Sequence, residues 1–322
     1  MKVLSLFDGI SAGRVALERA GIPVSKYYAA EIDKYAIQVT QKNHPATIQL
    51  GDINKWQEWN LGEIDLIIGG SPCQGFSFAG KQLNFDDPRS ALFFKYVEVL
   101  KHYKPKYFLL ENVVMKREYQ DVISEALGVK PIMINSALVS AQNRKRLYWT
   151  NIEDITQPDD LGIHVKDILE DGWVDRDKAH CIDANYWKGG NLKSYFEKHR
   201  RQLVFDEPPY IATILGRRVN ERGVRDDYNK DIKAQQYVEQ RHTGKSNCLT
   251  TVQKDNVVIY EPLAQRTPVK DVKFRKLTPI ECEKLQTYPD NYTAGVSNTQ
   301  RYKALGNSWT VDVIAHIFKG IR

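Results

Sequence analysis

Cysteine is scarce. There are four in 322 residues, at Cys73, Cys181, Cys248 and Cys282, and no two form a C-x-x-C pair. That spacing argues against a zinc site or a disulfide framework, and no metal is expected. Cys181 and Cys282 read as small buried apolar residues. No apolar run approaches the ~18 residues of a membrane span. The opening M-K-V-L-S-L-F-D-G is too short for the apolar centre of a secretory leader and lacks a small-residue cleavage site, so the expected compartment is the cytoplasm. The dinucleotide fingerprint G-x-G-x-x-G is missing, as are internal repeats and low-complexity tracts.

What is present is ordinary for a globular protein: 42% hydrophobic and 27% charged residues, enough for a sizeable core. The length suggests two domains, or one large α/β domain with an insertion. The net charge of +6 is unevenly placed. Residues 187–254 hold 14 Lys/Arg and 8 Asp/Glu, so 14 − 8 = +6, and the rest of the chain sums to zero. A polyanion such as DNA would explain a basic segment of this kind, and so would a solvated surface.

Residues 1–152 alternate strand-like and helix-like stretches. Strands are expected at 3–7, 27–32, 65–70, 106–113, 133–139 and 146–152. Helices are expected at 12–20, 34–42 and 90–102, the last with Leu92, Phe93, Tyr96, Val97 and Leu100 at helical spacing. This rhythm predicts a parallel, doubly wound α/β sheet whose ligand sits beyond the carboxyl ends of the strands. Residues 160–265 lack helical stripes and predict a loop-rich lobe with short strands. The tail turns helical again. Thr278, Pro279 and Glu281 have the spacing of a capping box, and a last helix is expected from about Ser308 through Val311, Ile314, Ala315 and Phe318.

Three signals stand at successive strand ends. F-D-G-I-S-A-G at 7–13 places glycines between a strand and a helix, where backbone can approach a ligand. Glu31 sits where an acid can grip ribose hydroxyls. Asp52, in G-D-I, could accept from an adenine amino group. Taken singly, these read as plain turns and helix caps. Together they favour an adenosine-type ligand without a pyrophosphate, such as S-adenosylmethionine, its carboxylate at a helix start. In I-I-G-G-S-P-C-Q-G-F-S, residues 67–77, Pro72 ends a strand and sets Cys73 on a loop at the sheet's carboxyl edge, a position for chemistry rather than for packing.

The P-C loop, E-N-V at 111–113, Q-N-R-K-R at 142–146, the tail motif R-K-L-T-P-I-E-C-E-K-L-Q at 275–286 and G-N-S-W-T-V-D-V-I at 306–314 resemble the DNA cytosine-5 methyltransferase family. The resemblance covers residues 1–152 and about 273–322. It implies a Rossmann-like S-adenosylmethionine-dependent methyltransferase domain at 1–155, a target-recognition domain at 160–270, and a segment at 273–322 returning to the first. It also implies that Cys73 is the nucleophile, attacking carbon 6 of a flipped-out cytosine in double-stranded DNA. Glu111 would hold ring nitrogen 3 and the exocyclic amine. Arg144 and Arg146 would hold the base oxygen, nearby phosphates and the loop, and favour the thiolate. Carbon 5 would receive the methyl group, leaving S-adenosylhomocysteine.

Phe7, Asp8, Gly9, Ile10, Gly13, Glu31, Ile32, Asp52, Ile53, Asn307 and Ser308 map to the family's cofactor pocket. Gln74, Ser77, Gln142, Arg217, Arg218, Arg222, Arg225, Arg241 and Lys245 are the candidates for DNA contact. For any one arginine, phosphate contact outranks base readout. The segment S-N-C-L-T-T-V-Q at 246–253 resembles the family's recognition-lobe signature, with Cys248 where threonine is usual. Gly13, four residues after Gly9, and the N-S-W-T-V tail are similar to the vertebrate de novo enzymes, within a bacterial or phage type of chain. Lys284 stands where arginine is usual.

Two other readings share the fold: a branch that methylates tRNA, and a DNA-binding member without activity. The basic lobe argues against the first, and the intact Cys73, Glu111, Arg144 and Arg146 against the second. The expectation is a monomer acting on DNA in a bacterial or phage-infected cell, with a cognate restriction endonuclease as a candidate partner.

Overall fold

The computed structural model describes residues 1–71, 88–190, 192, 195, 198–205, 210–218, 226, 228–233, 235–240, 256–259 and 274–322. Cys73, Gln74, Ser77, Arg222, Arg225, Arg241, Lys245 and Cys248 lie outside the described residues, and Arg217 is described only by its backbone. The chain divides into two compact units. One holds Met1–Ile168, Lys178–Gln202 and Thr278–Arg322; the other holds Leu169–Asp177 and Leu203–Leu277.

The first unit is built on a seven-stranded sheet. Its strands are β1 (Lys2–Leu6), β2 (Lys26–Ala30), β3 (Ile48–Gln49), β4 (Leu66–Gly69), β5 (Tyr107–Val113), β6 (Ile132–Asn135) and β8 (Lys145–Thr150), in the spatial order β3-β2-β1-β4-β5-β8-β6. β1 pairs parallel with β2 and β4, and β5 extends the parallel set. Val3, Leu4, Leu6, Leu66, Ile67 and Ile68 are buried without exception. Burial on both faces is why these strands read as unbroken apolar runs rather than alternating ones. The expected doubly wound sheet is present, with one refinement: β8 runs antiparallel to both β5 and β6. A short connection through β7 (Gln142–Asn143) leads from β6 into β8, and so short a link cannot make the crossover that a parallel neighbour needs.

The helices of this unit are α1 (Ala12–Arg19), α2 (Lys34–Asn43), α3 (Pro88–Tyr103), α4 (Arg117–Leu127), α5 (Pro279–Leu285), α6 (Asn298–Asn307) and α7 (Val311–Phe318). Asp33 caps α2, accepting from Tyr35 N at 2.9 Å. The capping box of α5 forms as its spacing predicts: Thr278 N donates to Glu281 Oε2 at 2.8 Å, and Glu281 N to Thr278 Oγ1 at 3.1 Å. Two expectations shift. The strand expected over 133–139 stops at Asn135, whose side chain accepts from Ala137 N and turns the chain into a 3-10 turn, Ser136–Leu138. The last helix begins at Val311, because Ser308 instead ends α6.

Lys178–Gln202 belongs to this first unit. It opens with β9 (Ala179–His180), parallel to β7. Beyond it, Gly306 of α6 presses on the backbone of Asp183 and Ala184, where an added Cβ would lie 2.2 Å from Asp183 C. In the second unit β10 (Leu203–Phe205) pairs antiparallel with β14 (Phe274–Lys276). There β11 (Tyr210–Arg217) lies between β12 (Gln235–Gln240) and β13 (Asn256–Ile259), antiparallel to both.

Candidate active site

The chain runs outward from β1 to β2 and β3, then returns to place β4 on the other side of β1. A crevice forms at such a switch point, outside the carboxyl ends of the strands. A cavity of about 520 Å³ lies there, within the usual size for a small-molecule site. Its wall is drawn from the residues just after each strand: Phe7, Asp8 and Gly9 after β1, Glu31 and Ile32 after β2, Gly51 and Asp52 after β3, Gly70 and Ser71 after β4. Glu111 to Val113 of β5, Arg144, Arg146 and the end of α6 through Asn307, Ser308 and Trp309 close it.

The turn after β1 is strained into shape. Phe7, Gly9 and Ser11 have φ of 58°, 60° and 61°, a region where only glycine is at ease. Gly9 N donates to Glu31 Oε2 at 2.8 Å, and Ile32 N and Asp33 N donate to Oε1 at the same distance. Three amides therefore aim the Glu31 carboxylate. Asp52 Oδ1 caps its own turn through Asn54 N at 2.9 Å, and Oδ2 meets no partner among the described residues. Asp52 is thus a cap that keeps one acceptor oxygen at the cavity. Ile32 is 75% exposed on the rim, while Ile53 is a buried part of the wall. Asp8 is buried, accepting from Ser11 Oγ at 2.5 Å and Tyr27 OH at 2.8 Å. Burial pushes its carboxyl up to about 6, against the lowering pull of those hydroxyls.

Two expected cofactor residues stand elsewhere. Ile10 is buried, and its carbonyl accepts from Tyr292 OH at 2.8 Å. Gly13 lets α1 lie against β4, since a Cβ there would fall 2.1 Å from Ile68 Cδ1. Neither lines the cavity. The glycine signal at 13 was real, but its cause is helix-on-strand packing.

At the far end, Glu111 Oε1 lies 2.9 Å from Arg146 Nε. Gly70 leaves room for both the Glu111 carboxylate and the Trp309 indole; a Cβ there would lie 2.9 Å from Trp309 Nε1 and 3.2 Å from Glu111 Oε2. Asn112 Nδ2 donates to Ser71 Oγ at 3.3 Å, tying β5 to the chain two residues before Cys73.

Arg144 is 4% exposed. It donates to Ser308 O at 2.8 Å and Ile182 O at 3.2 Å, and to the Cys181 sulfur at 3.2 Å. It lines the cavity and braces the Ser308 end of its wall. Gln142, expected at DNA, is fully buried and is spent on Leu285 O at 2.7 Å and Gln286 Oε1 at 2.9 Å. Cys282 is buried as expected, but Cys181 is not merely apolar, because it meets two guanidiniums. Arg218 Nε donates to Ile232 O at 2.9 Å within the second unit. Trp309 and Lys303 reach the cavity without having been singled out beforehand. The +6 of residues 187–254 also divides: 187–202, in the first unit, holds 5 Lys/Arg and 1 Asp/Glu, so 5 − 1 = +4.

A doubly wound sheet with this cavity at its switch point is the Rossmann-like fold of S-adenosylmethionine-dependent methyltransferases. The sequence profile of the C-5 cytosine-specific DNA methylases matches residues 1–322, and the chain belongs to that family. It is a DNA cytosine-5 methyltransferase. It is 28% identical to the orphan methyltransferase M.SPRI of Bacillus phage SPR, over 99% of this chain and 97% of that one. It is 31% identical to the type II methyltransferase M1.ScrFI of Lactococcus lactis subsp. cremoris, over 97% and 76%. In fold it is similar to the Entamoeba histolytica methyltransferase EhMeth, with a TM-score of 0.65 at 16% identity, covering 100% of this chain and 99% of that one. It is also similar to a putative DNA modification methyltransferase of an Escherichia coli prophage, at 0.58 and 22%, covering 100% and 98%.

Proposed function

We propose that the chain methylates carbon 5 of a cytosine flipped out of double-stranded DNA, through a transient bond from Cys73 to carbon 6. The observation that carries this reading is the Glu111–Arg146 pair, Glu111 buried and Arg146 partly so, on the wall of a nucleoside-sized cavity. Glu111 holds ring nitrogen 3 and the exocyclic amine, stabilising the ring as charge develops on it. Arg146 fixes Glu111 and lends the site positive charge that favours the Cys73 thiolate. The Cys73–carbon 6 bond makes carbon 5 nucleophilic. After methylation, loss of the carbon 5 proton and departure of Cys73 restore the ring.

The residues present fit S-adenosylmethionine. The fixed Glu31 carboxylate would accept from the ribose hydroxyls and the open Asp52 oxygen from the adenine amine, and Ile32 would cover the face of the base. When bound, the cofactor supplies an electrophilic methyl group. Phe7, Asp8, Gly9, Ile53, Asn307 and Ser308 complete the set, and Ile10 and Gly13 support it from behind. The second unit, with its basic residues, is proposed as the target-recognition lobe, and Gln142 is left out of the DNA-facing set. Double-stranded DNA is the proposed partner, and the cytoplasm of a bacterial or phage-infected cell the proposed place of action.

DNA containing 5-fluorocytosine tests the chemistry, because the adduct cannot lose fluorine and stays on the protein. A covalent adduct with wild-type protein and S-adenosylmethionine, lost in Cys73→Ala, is the expected result. No adduct on mixed-sequence DNA, or an undiminished one in the variant, defeats the reading. A parallel arm with tRNA tests the alternative substrate, and sequencing of methylated DNA from expressing cells returns the target sequence.

A further inference from the structure

Arg144 presents a problem of charge. It is buried, and no carboxylate meets it among the described residues. Its Nη2 donates to Ser308 O at 2.8 Å and Gly306 O at 3.5 Å, and its Nη1 to Ile182 O at 3.2 Å. Its Nε is buried without a partner. Carbonyls satisfy donors but do not neutralise a cation, and a buried charge without a counter-charge is costly. Among the described residues, the one ionisable acid that touches Arg144 is Cys181, whose sulfur lies 3.2 Å from Nη1.

The same sulfur lies 3.9 Å from Arg146 Nη2, and Arg146 Nε is paired with Glu111 Oε1 at 2.9 Å. Glu111, Arg146, Cys181 and Arg144 therefore form one row. With an ionised sulfur the row alternates in sign and sums to zero; with a neutral thiol it keeps a buried positive charge.

We propose that Cys181 is a thiolate in the working enzyme and is a positioning residue, the anion that anchors both guanidiniums. Through Arg146 it steadies Glu111, and through Arg144 it steadies the Ser308 end of the cavity. This rests on the reading of Glu111 given above. Burial alone pushes the Cys181 thiol up, and the Arg144 and Arg146 guanidiniums outweigh it and hold the thiol below its usual value.

The groups around the sulfur come from several elements. Arg144 lies between β7 and β8. Arg146 and Tyr148 lie on β8, with Tyr148 acting on Arg146, and Glu111 acts from β5 through Arg146. Along its own segment, His180 turns to the rings of Tyr195 and His199, and Asp183 faces Arg201 at 4.0 Å.

The direct test is a titration of wild-type protein labelled with ¹³Cβ-cysteine, the Cys181 resonance being the one lost in Cys181→Ser. A midpoint below the ~8.5 of an ordinary cysteine is expected; a midpoint at or above that value overturns the proposal. The kinetic test compares Cys181→Ala and Cys181→Asp for kcat and for KM of DNA and cofactor. Loss of the anion should lower kcat by about tenfold or more with little change in KM, because small displacements of positioned groups are costly. The aspartate, a fixed anion, should recover most of that loss. A kcat in Cys181→Ala within about twofold of wild type, or an aspartate no better than alanine in folded protein, overturns the assignment. If wild-type protein methylated no DNA, the reading of the site would fail while the titration still reported on Cys181.

Discussion

Glu111 Oε1 and Arg146 Nε meet at 2.9 Å, although β5 and β8 bring them in from opposite directions and pair Arg146 with Val113 rather than with Glu111. The contact is diagonal across the antiparallel ladder, and both side chains line the cavity. Glu111→Gln keeps the shape and removes the charge. Its kcat should fall by about 10²–10⁴, the range for a positioned acid–base group. Glu111→Ala should also destabilise, by up to ~3 kcal/mol, because it strands a partly buried guanidinium. Methyl-transfer rates and thermal unfolding separate the two effects. A Glu111→Gln enzyme within about tenfold of wild type would remove Glu111 from the chemistry.

Glu31 offers a cleaner separation of cofactor from DNA. Its oxygens are fixed by Gly9 N, Ile32 N and Asp33 N, so the carboxylate is pre-aimed and little ordering remains on binding. Glu31→Ala should weaken S-adenosylhomocysteine binding by about tenfold or more, as lost charge-assisted hydrogen bonds do, and leave DNA affinity near wild type. Calorimetry for the cofactor and a gel-shift titration for DNA measure each. Equal losses in both would mean that Glu31 acts on the fold instead.

Asp8 sets a pH dependence. Its folded-state value near 6 lies above the ordinary aspartate value of 3.8, chiefly through burial. The fold thus prefers the neutral carboxyl. The contribution is fully present below about 3.8 and is lost as pH rises through about 6, for a total of ~3 kcal/mol over the window. Asp8→Asn cannot ionise, so its stability relative to wild type should improve as pH goes from 5 to 8. Paired thermal unfolding curves at several pH values measure this. A difference that stays flat across that window contradicts the assignment.

The strand ends were legible because each carried a local cause. Gly9 is needed at φ 60°, Glu31 follows β2 directly, and Asp52 comes three residues after β3. Thr278, Pro279 and Glu281 spell out their own cap. What stayed hidden depends on distant chain. Nothing near Gln142 announces that Leu285 and Gln286 will bury it. Cys181 and the following D-A-N-Y looked like part of a basic lobe, because their partners Arg144 and Gly306 lie 37 and more than 100 positions away. The antiparallel β8 was equally hidden: its apolar run is the same in either direction, and only the short link from β6 sets its sense.

Gly13 and Gly306 look alike in sequence, and the structure ranks them. At Gly13 a Cβ would meet the tip of the Ile68 side chain, at 2.1 Å from Cδ1, and a flexible tip can rotate away. At Gly306 it would meet main chain: Asp183 C at 2.2 Å, Asp183 O at 2.3 Å and Ala184 N at 2.4 Å. Backbone cannot yield without moving the segment that carries Cys181 and Ile182 off α6. Gly13→Ala should therefore cost about 1–3 kcal/mol, the range for overpacking, and keep measurable activity. Gly306→Ala should cost more and reach the site, because Arg144 is held to Gly306 O at 3.5 Å and Ser308 O at 2.8 Å. Denaturant titration gives the order of stability, and limited proteolysis should find new cleavage within residues 181–190 in the Gly306 variant. If Gly13→Ala were the more damaging of the two, the packing of Lys178–Gln202 on α6 would not be the constraint that fixes Gly306.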